Sequence, residues 1–172
     1  MNTKNLVVLS LLIGMGAVLH TIVPGLILGM KPDMMLTMMF LGIVIFPEKK
    51  SVFLAAAVTG VLSGLTSTFP GGLLPNIIDK LVTAYVFYSL MLIFKKHRGS
   101  AAYTAALTAV GTIVSGTVFL AAAYYIVGLP GAFAGLFAGA VLPAALFNTI
   151  FMIFLFPIAS GVLKKTKLVE LK

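Results

Sequence analysis

Two short stretches carry charge in a chain with little use for it. Lys31 and Asp33 flank Pro32 inside residues 29–35, and Asn76, Asp79 and Lys80 fall within five positions of one another. Only 9% of the residues are charged. A charge held at mid-bilayer costs roughly 2.5–3.5 kcal/mol on insertion scales, so each such residue is a functional candidate. Two ammonium groups, two carboxylates and an amide have the chemistry to hold a zwitterion. An amino acid brings both an ammonium and a carboxylate, and burying either without a partner is prohibitive. Asp33 or Asp79 would take the ammonium and Lys31 or Lys80 the carboxylate, with Asn76 and Asn148 completing the polar contacts. Around them lie Met30, Met34, Met35, Met38, Met39, Phe40 and Phe69. Methionine adapts its shape and packs well on aromatic rings, so Met34 and Phe69 are candidates to receive a flat aromatic side chain. The plainer alternatives are snorkelling lysines, an internal ion pair and ordinary packing of the methionines.

The rest of the composition sets the class. Of 172 residues, 60% are hydrophobic, and the mean hydropathy is +1.15. A soluble domain is about 45–50% apolar and about 25% charged. The chain is therefore expected to form one transmembrane domain, residues 1–172, in a lipid bilayer. The absence of cysteine excludes disulfides, thiolate metal sites and cysteine nucleophiles. Two histidines, His20 and His97, make no metal site by themselves. No phosphate-binding Gly-x-x-x-x-Gly-Lys-Ser/Thr loop, His-Glu-x-x-His or Gly-x-Ser-x-Gly occurs. With four acidic residues in total, acid–base catalysis has few candidates. No enzyme and no cofactor is expected. The net charge of +8 does not indicate nucleic acid, because the basic residues cap apolar spans.

Those spans must position the polar groups. Six apolar segments are expected, at about residues 6–23, 33–46, 51–69, 76–94, 101–127 and 131–163. The first is expected to be a retained helix rather than a cleaved signal. The second is too short for a roughly 30 Å core. Either it is a short buried helix, or residues 24–32 supply the missing depth as irregular backbone lining a cavity. The sixth is too long for one straight span, and a loop or partial re-entrant piece at 129–135 followed by a kinked helix is expected. With the N-terminus in the cytoplasm, Lys4, Lys49, Lys50, Lys95, Lys96, Arg98, Lys164, Lys165, Lys167 and Lys172 all fall inside, leaving Lys31 and Lys80 outside. Cytoplasmic loops carry the Lys/Arg excess, so six spans with both termini cytoplasmic are expected, with both charged stretches at the outer face.

Spacing within the segments adds detail. Asn76, Asp79, Lys80 and Thr83 fall at i, i+3, i+4 and i+7, one stripe of one helix. Thr59, Ser63 and Thr66 repeat in the third segment, and Thr104, Thr108, Thr112 and Ser115 in the fifth. Such small residues let membrane helices approach closely. His20 lies near the outer end of the first span, as an interhelical contact or a proton-coupling group.

Four stretches carry a family resemblance: Gly-Met-Lys-Pro-Asp-Met-Met-Leu at 29–36, Pro-Asn-Ile-Ile-Asp-Lys at 75–80, Val-Gly-Leu-Pro-Gly-x-Phe-Ala at 127–134 and Val-Leu-Pro-Ala-Ala-x-x-Asn-Thr at 141–149. Together they resemble the bacterial tryptophan transport protein family (TrpP) over essentially the whole chain. That family is similar in size and six-helix layout to the substrate-binding (S) components of energy-coupling factor (ECF) transporters. The resemblance implies binding and import of L-tryptophan at the cytoplasmic membrane of a Gram-positive bacterium. It also implies an ECF transmembrane partner and an ATPase module. In S components an outer loop after the first helix covers the ligand, and residues 24–32 fit that position. Their first helix meets the shared partner through Ala-x-x-x-Ala, for which Ser10-x-x-x-Gly14, or Gly14 with Ala17, is the nearest counterpart. The rival readings are a proton-coupled secondary carrier and a structural membrane protein without a ligand.

Overall fold

The structure, a computed structural model, describes residues 3–22, 32–94 and 100–165. Among these residues it is all helical. Helix α1 is Thr3–Ile22, α2 Met34–Ile45, α3 Lys49–Leu65, α4 Leu73–Ile93 and α5 Ala101–Ile126. The last rod begins as α6 (Phe133–Leu136), widens into a π turn at Phe137–Val141 and continues as α7 (Leu142–Lys165). Four of the rods are long and apolar enough to cross a membrane: Thr3–Ile22, Leu73–Ile93, Ala101–Ile126 and Phe133–Leu163. Lys31 and residues 24–30 of the stretch expected to cover the ligand lie outside the described residues, as do Lys95, Lys96, Arg98, Lys167 and Lys172.

The short helix α2 is the centre. All twelve of its residues are buried, and it contacts α1, α3, α4, α5 and α7. A helix apolar on every side has no face to give to water. At about 1.5 Å per residue it is about 18 Å long, and of the two expectations for this segment the short buried helix is found. Asp33 starts it, accepting a hydrogen bond from the Leu36 N–H at 2.9 Å. Pro47 follows its end, where proline disfavours helix in the residue before it.

Glycines set the close approaches. A Cβ on Gly60 would stand 3.0 Å from the Ile77 Cα, and one on Gly64 would stand 2.8 Å from the Leu73 Cα. Helices α3 and α4 therefore touch backbone to backbone. Pro75 sits in the first turn of α4, where its missing N–H would have had no acceptor in the helix. At Gly111 of α5 the absent side chain makes room for Phe40 and Phe87, whose rings stack at 4.2 Å in the core.

The sixth segment differs in detail from expectation. Helix begins at Phe133, inside the stretch expected to be loop, and the irregularity is the π turn. Pro143 has no N–H to give back to the preceding turn, and there Leu142 N–H reaches Phe137 O instead. A proline in or beside a helix is a standard cause of such distortion.

Candidate functional site

The rods alternate in direction, which brings six helix ends together. The C-terminal parts of α1, α3 and α5 meet the N-terminal parts of α2, α4 and α6 around a cavity of about 320 Å³. Ligand pockets run from about 300 to 1,000 Å³. Lys4, Lys49, Lys50 and Lys165 lie at the opposite ends of their helices.

One wall of the cavity is charged. Lys80 Nζ donates to Asp79 Oδ2 at 2.7 Å and to Asp33 Oδ2 at 3.0 Å. Asp79 is held further by Ser115 Oγ at 2.9 Å on Oδ2 and Thr83 Oγ1 at 2.9 Å on Oδ1. Lys80 and Asp79 are 2% and 1% exposed. The helical stripe explains their meeting: Asp79 and Thr83 are four apart on α4, and Ser115 arrives from α5. Asp33 comes from the start of α2 and is the open member, 27% exposed. Its Oδ1 lies 3.9 Å from His20 Nδ1 at the end of α1.

Asp33 precedes α2 and lies outside every apolar helix. Burial pushes its carboxyl up. The Lys80 ammonium, then the His20 ring and the Leu36 N–H, push it down and prevail, holding it below the ordinary carboxylate value. Two carboxylates thus share one ammonium, and the arrangement can accept a further cation beside Asp33.

The other wall is aromatic and apolar. Phe69, in the turn between α3 and α4, and Phe119 of α5 pack edge to face at 5.3 Å and 82°. Both line the cavity, with Leu36, Leu120 and Val141. Between the two walls stands Asn76 of α4, 8% exposed.

The sequence candidates fall in three groups. Asp33, Asn76, Asp79, Lys80 and Phe69 come together at the cavity. Asn148 stands behind it, fully buried, its Nδ2 donating to Thr112 Oγ1 at 3.2 Å, and Thr112 lines the cavity. Met34 is off the lining, buried at the α1–α2 contact near Gly16. The neighbouring methionines are core residues; Met35 Sδ accepts from Ser63 Oγ. Lys31 is outside the described residues.

Helix α5 contributes more than spacing had indicated. Ser115 continues the Thr104–Thr108–Thr112 row, which reads equally as helix packing. Phe119 carries no polar signal at all, and its place follows only from tertiary packing. Among the described residues no group of three or more His, Cys, Asp or Glu side chains is placed to hold a metal.

The profile of the family described as "Tryptophan transporter TrpP" matches residues 2–164. A "Probable tryptophan transport protein" of Bacillus subtilis is 53% identical over 170 residues, covering 99% of this chain and 98% of that protein. Proteins of the same description from Clostridium acetobutylicum and Clostridium perfringens are 43% identical over 150 residues and 34% over 176. They cover 87% and 97% of this chain, and 88% and 97% of their own lengths. No solved structure matches the chain.

Proposed function

We infer the function from one premise: the chain belongs to the tryptophan transporter family. It is a multi-pass membrane protein of the cytoplasmic membrane that binds L-tryptophan from the outer side and mediates its import. One observation carries this reading: the Asp33–Lys80 ion pair and the Phe69–Phe119 ring pair line a single cavity. A zwitterionic head matches an ion pair, ammonium to Asp33 and carboxylate toward Lys80. An indole matches the aromatic wall. Asp79, enclosed by Lys80, Ser115 and Thr83, then holds Lys80 in place rather than meeting the ligand. Lys31 is a second candidate for the carboxylate.

The chain contains no tryptophan, so all indole fluorescence in a titration of the purified protein comes from the ligand. A saturable spectral shift with L-tryptophan is expected, displaced weakly by phenylalanine, tyrosine or indole. No saturable change up to millimolar ligand overturns the reading.

We further place the protein as the substrate-binding subunit of an ECF-type transporter, energised by a partner ATPase module. The six rods and the absence of any ATPase motif in its own sequence support this. Purified protein alone in liposomes is then expected to bind without turnover. Uptake driven by a pH gradient would favour the proton-coupled carrier instead. For that second reading the placement of His20 beside Asp33 speaks.

A further inference from the structure

Asn76 is pinned in one orientation. Its Nδ2 donates to Gly72 O at 2.8 Å, and its backbone N–H meets the same oxygen at 3.0 Å. A carbonyl oxygen only accepts, so the amide nitrogen must occupy that corner and Oδ1 the other. Among the described residues no donor meets Oδ1, although Asn76 lines the cavity and is 8% exposed. With no such protein donor on it, that oxygen is left open to a donor that enters the cavity.

The surroundings say which donor fits. Gly72 N–H in turn donates to Phe69 O at 3.0 Å. The turn that fixes the Asn76 amide therefore also carries the ring of the aromatic wall. Asp79 and Lys80 follow three and four residues later on α4, about 4.5–6 Å along the axis at about 1.5 Å per residue. Asn76 thus stands one turn from the charged wall, next to the turn that carries Phe69. The few bonds between an amino acid's ammonium and the nitrogen of an indole side chain span a comparable distance. Indole N–H is a donor with no acceptor capacity.

We propose that Asn76 sets the specificity of this cavity, its Oδ1 accepting the ring N–H of the ligand's indole. The proposal rests on tryptophan being the ligand. A phenyl ring would fill the aromatic wall but leave Oδ1 unpaired, and a site built to hydrogen-bond a group rejects the analogue that lacks it.

The test compares L-tryptophan with its benzothienyl analogue, in which a ring sulfur replaces the N–H at nearly unchanged shape. By titration calorimetry, the unaltered protein should prefer tryptophan by about tenfold to a hundredfold, the range of a lost buried hydrogen bond. In Asn76→Ala the tryptophan affinity should fall by that factor while the analogue's stays the same, which also certifies the fold. Asn76→Leu, of similar shape, serves if the alanine variant does not fold. Equal affinity for both ligands in the unaltered protein overturns the role of Asn76 alone, as does a variant that weakens both by one factor. Failure of both ligands to bind overturns the tryptophan reading, and this proposal with it.

Discussion

Asp33 and Lys80 are 47 residues apart in the chain and 3.0 Å apart in the fold. Asp33 caps the central buried helix and Lys80 belongs to one long and apolar enough to cross a membrane, so their bond ties the start of α2 to α4. Lys80 also neutralises Asp79, which is 1% exposed. Removing one partner of a buried pair leaves an uncompensated charge, at a cost of about 3–5 kcal/mol. Lys80→Met is therefore expected to lower the Tm of the detergent-solubilised protein sharply. Adding Asp79→Asn should restore part of the loss, because the stranded carboxylate is then gone. An unchanged Tm in the single variant would show that the pair is not a strut.

Acid should weaken the same joint. Asp33 titrates below its ordinary value in the folded protein. A carboxylate with a depressed folded value contributes stability above its unfolded value, about 3.9, and loses it as pH falls through the folded one. Thermal unfolding from pH 7 to pH 3 should show a falling Tm below about pH 4. Asp33→Asn should flatten that part of the profile. A variant with the slope of the parent would assign the acid sensitivity elsewhere.

The sequence made some of this readable and hid the rest for physical reasons. Asn76, Asp79, Lys80 and Thr83 were legible as one stripe because helical periodicity alone places i, i+3, i+4 and i+7 on one face. The central role of α2 was legible as a length problem, since a segment too short to span must be buried or completed by something else. The methionines misdirect: an apolar run has no period that distinguishes facing a cavity from facing another helix, and Met34 packs near Gly16. Phe119 was invisible for the complementary reason. Its neighbours are apolar, and only the crossing of α5 past the α3–α4 turn brings it to Phe69. The π turn escaped too, because glycine and proline near 131–143 signal a distortion without naming its form.

Ser115 offers a quieter test of the charged wall. Its hydroxyl donates to Asp79 Oδ2 at 2.9 Å from a different helix. A hydrogen bond to a charged group contributes about 1.5–3 kcal/mol. Ser115→Ala should lose an amount of that order in stability, since Asp79 keeps its bonds from Lys80 and Thr83. Thr83→Val should behave alike. If Ser115→Ala is neutral in thermal unfolding, the hydroxyl is only filling space.

Two glycines of α5 separate cavity shape from core packing. A Cβ at Gly116 would run into the Val141 side chain, and Val141 belongs to the π turn and lines the cavity. A Cβ at Gly111 would stand 2.7 Å from Phe40 Cζ and 3.0 Å from Phe87 Cδ2, inside the stacked core pair. Overpacking of either kind typically costs about 1–3 kcal/mol, so both alanine variants should lower Tm. Only Gly116→Ala displaces a wall of the cavity, and it alone should weaken tryptophan binding in the fluorescence titration. Gly111→Ala should bind as the parent does, because the rings it disturbs pack on each other and away from the cavity lining. Equal loss of binding in both would mean that the core beneath the cavity, rather than the π turn, sets the shape the ligand meets.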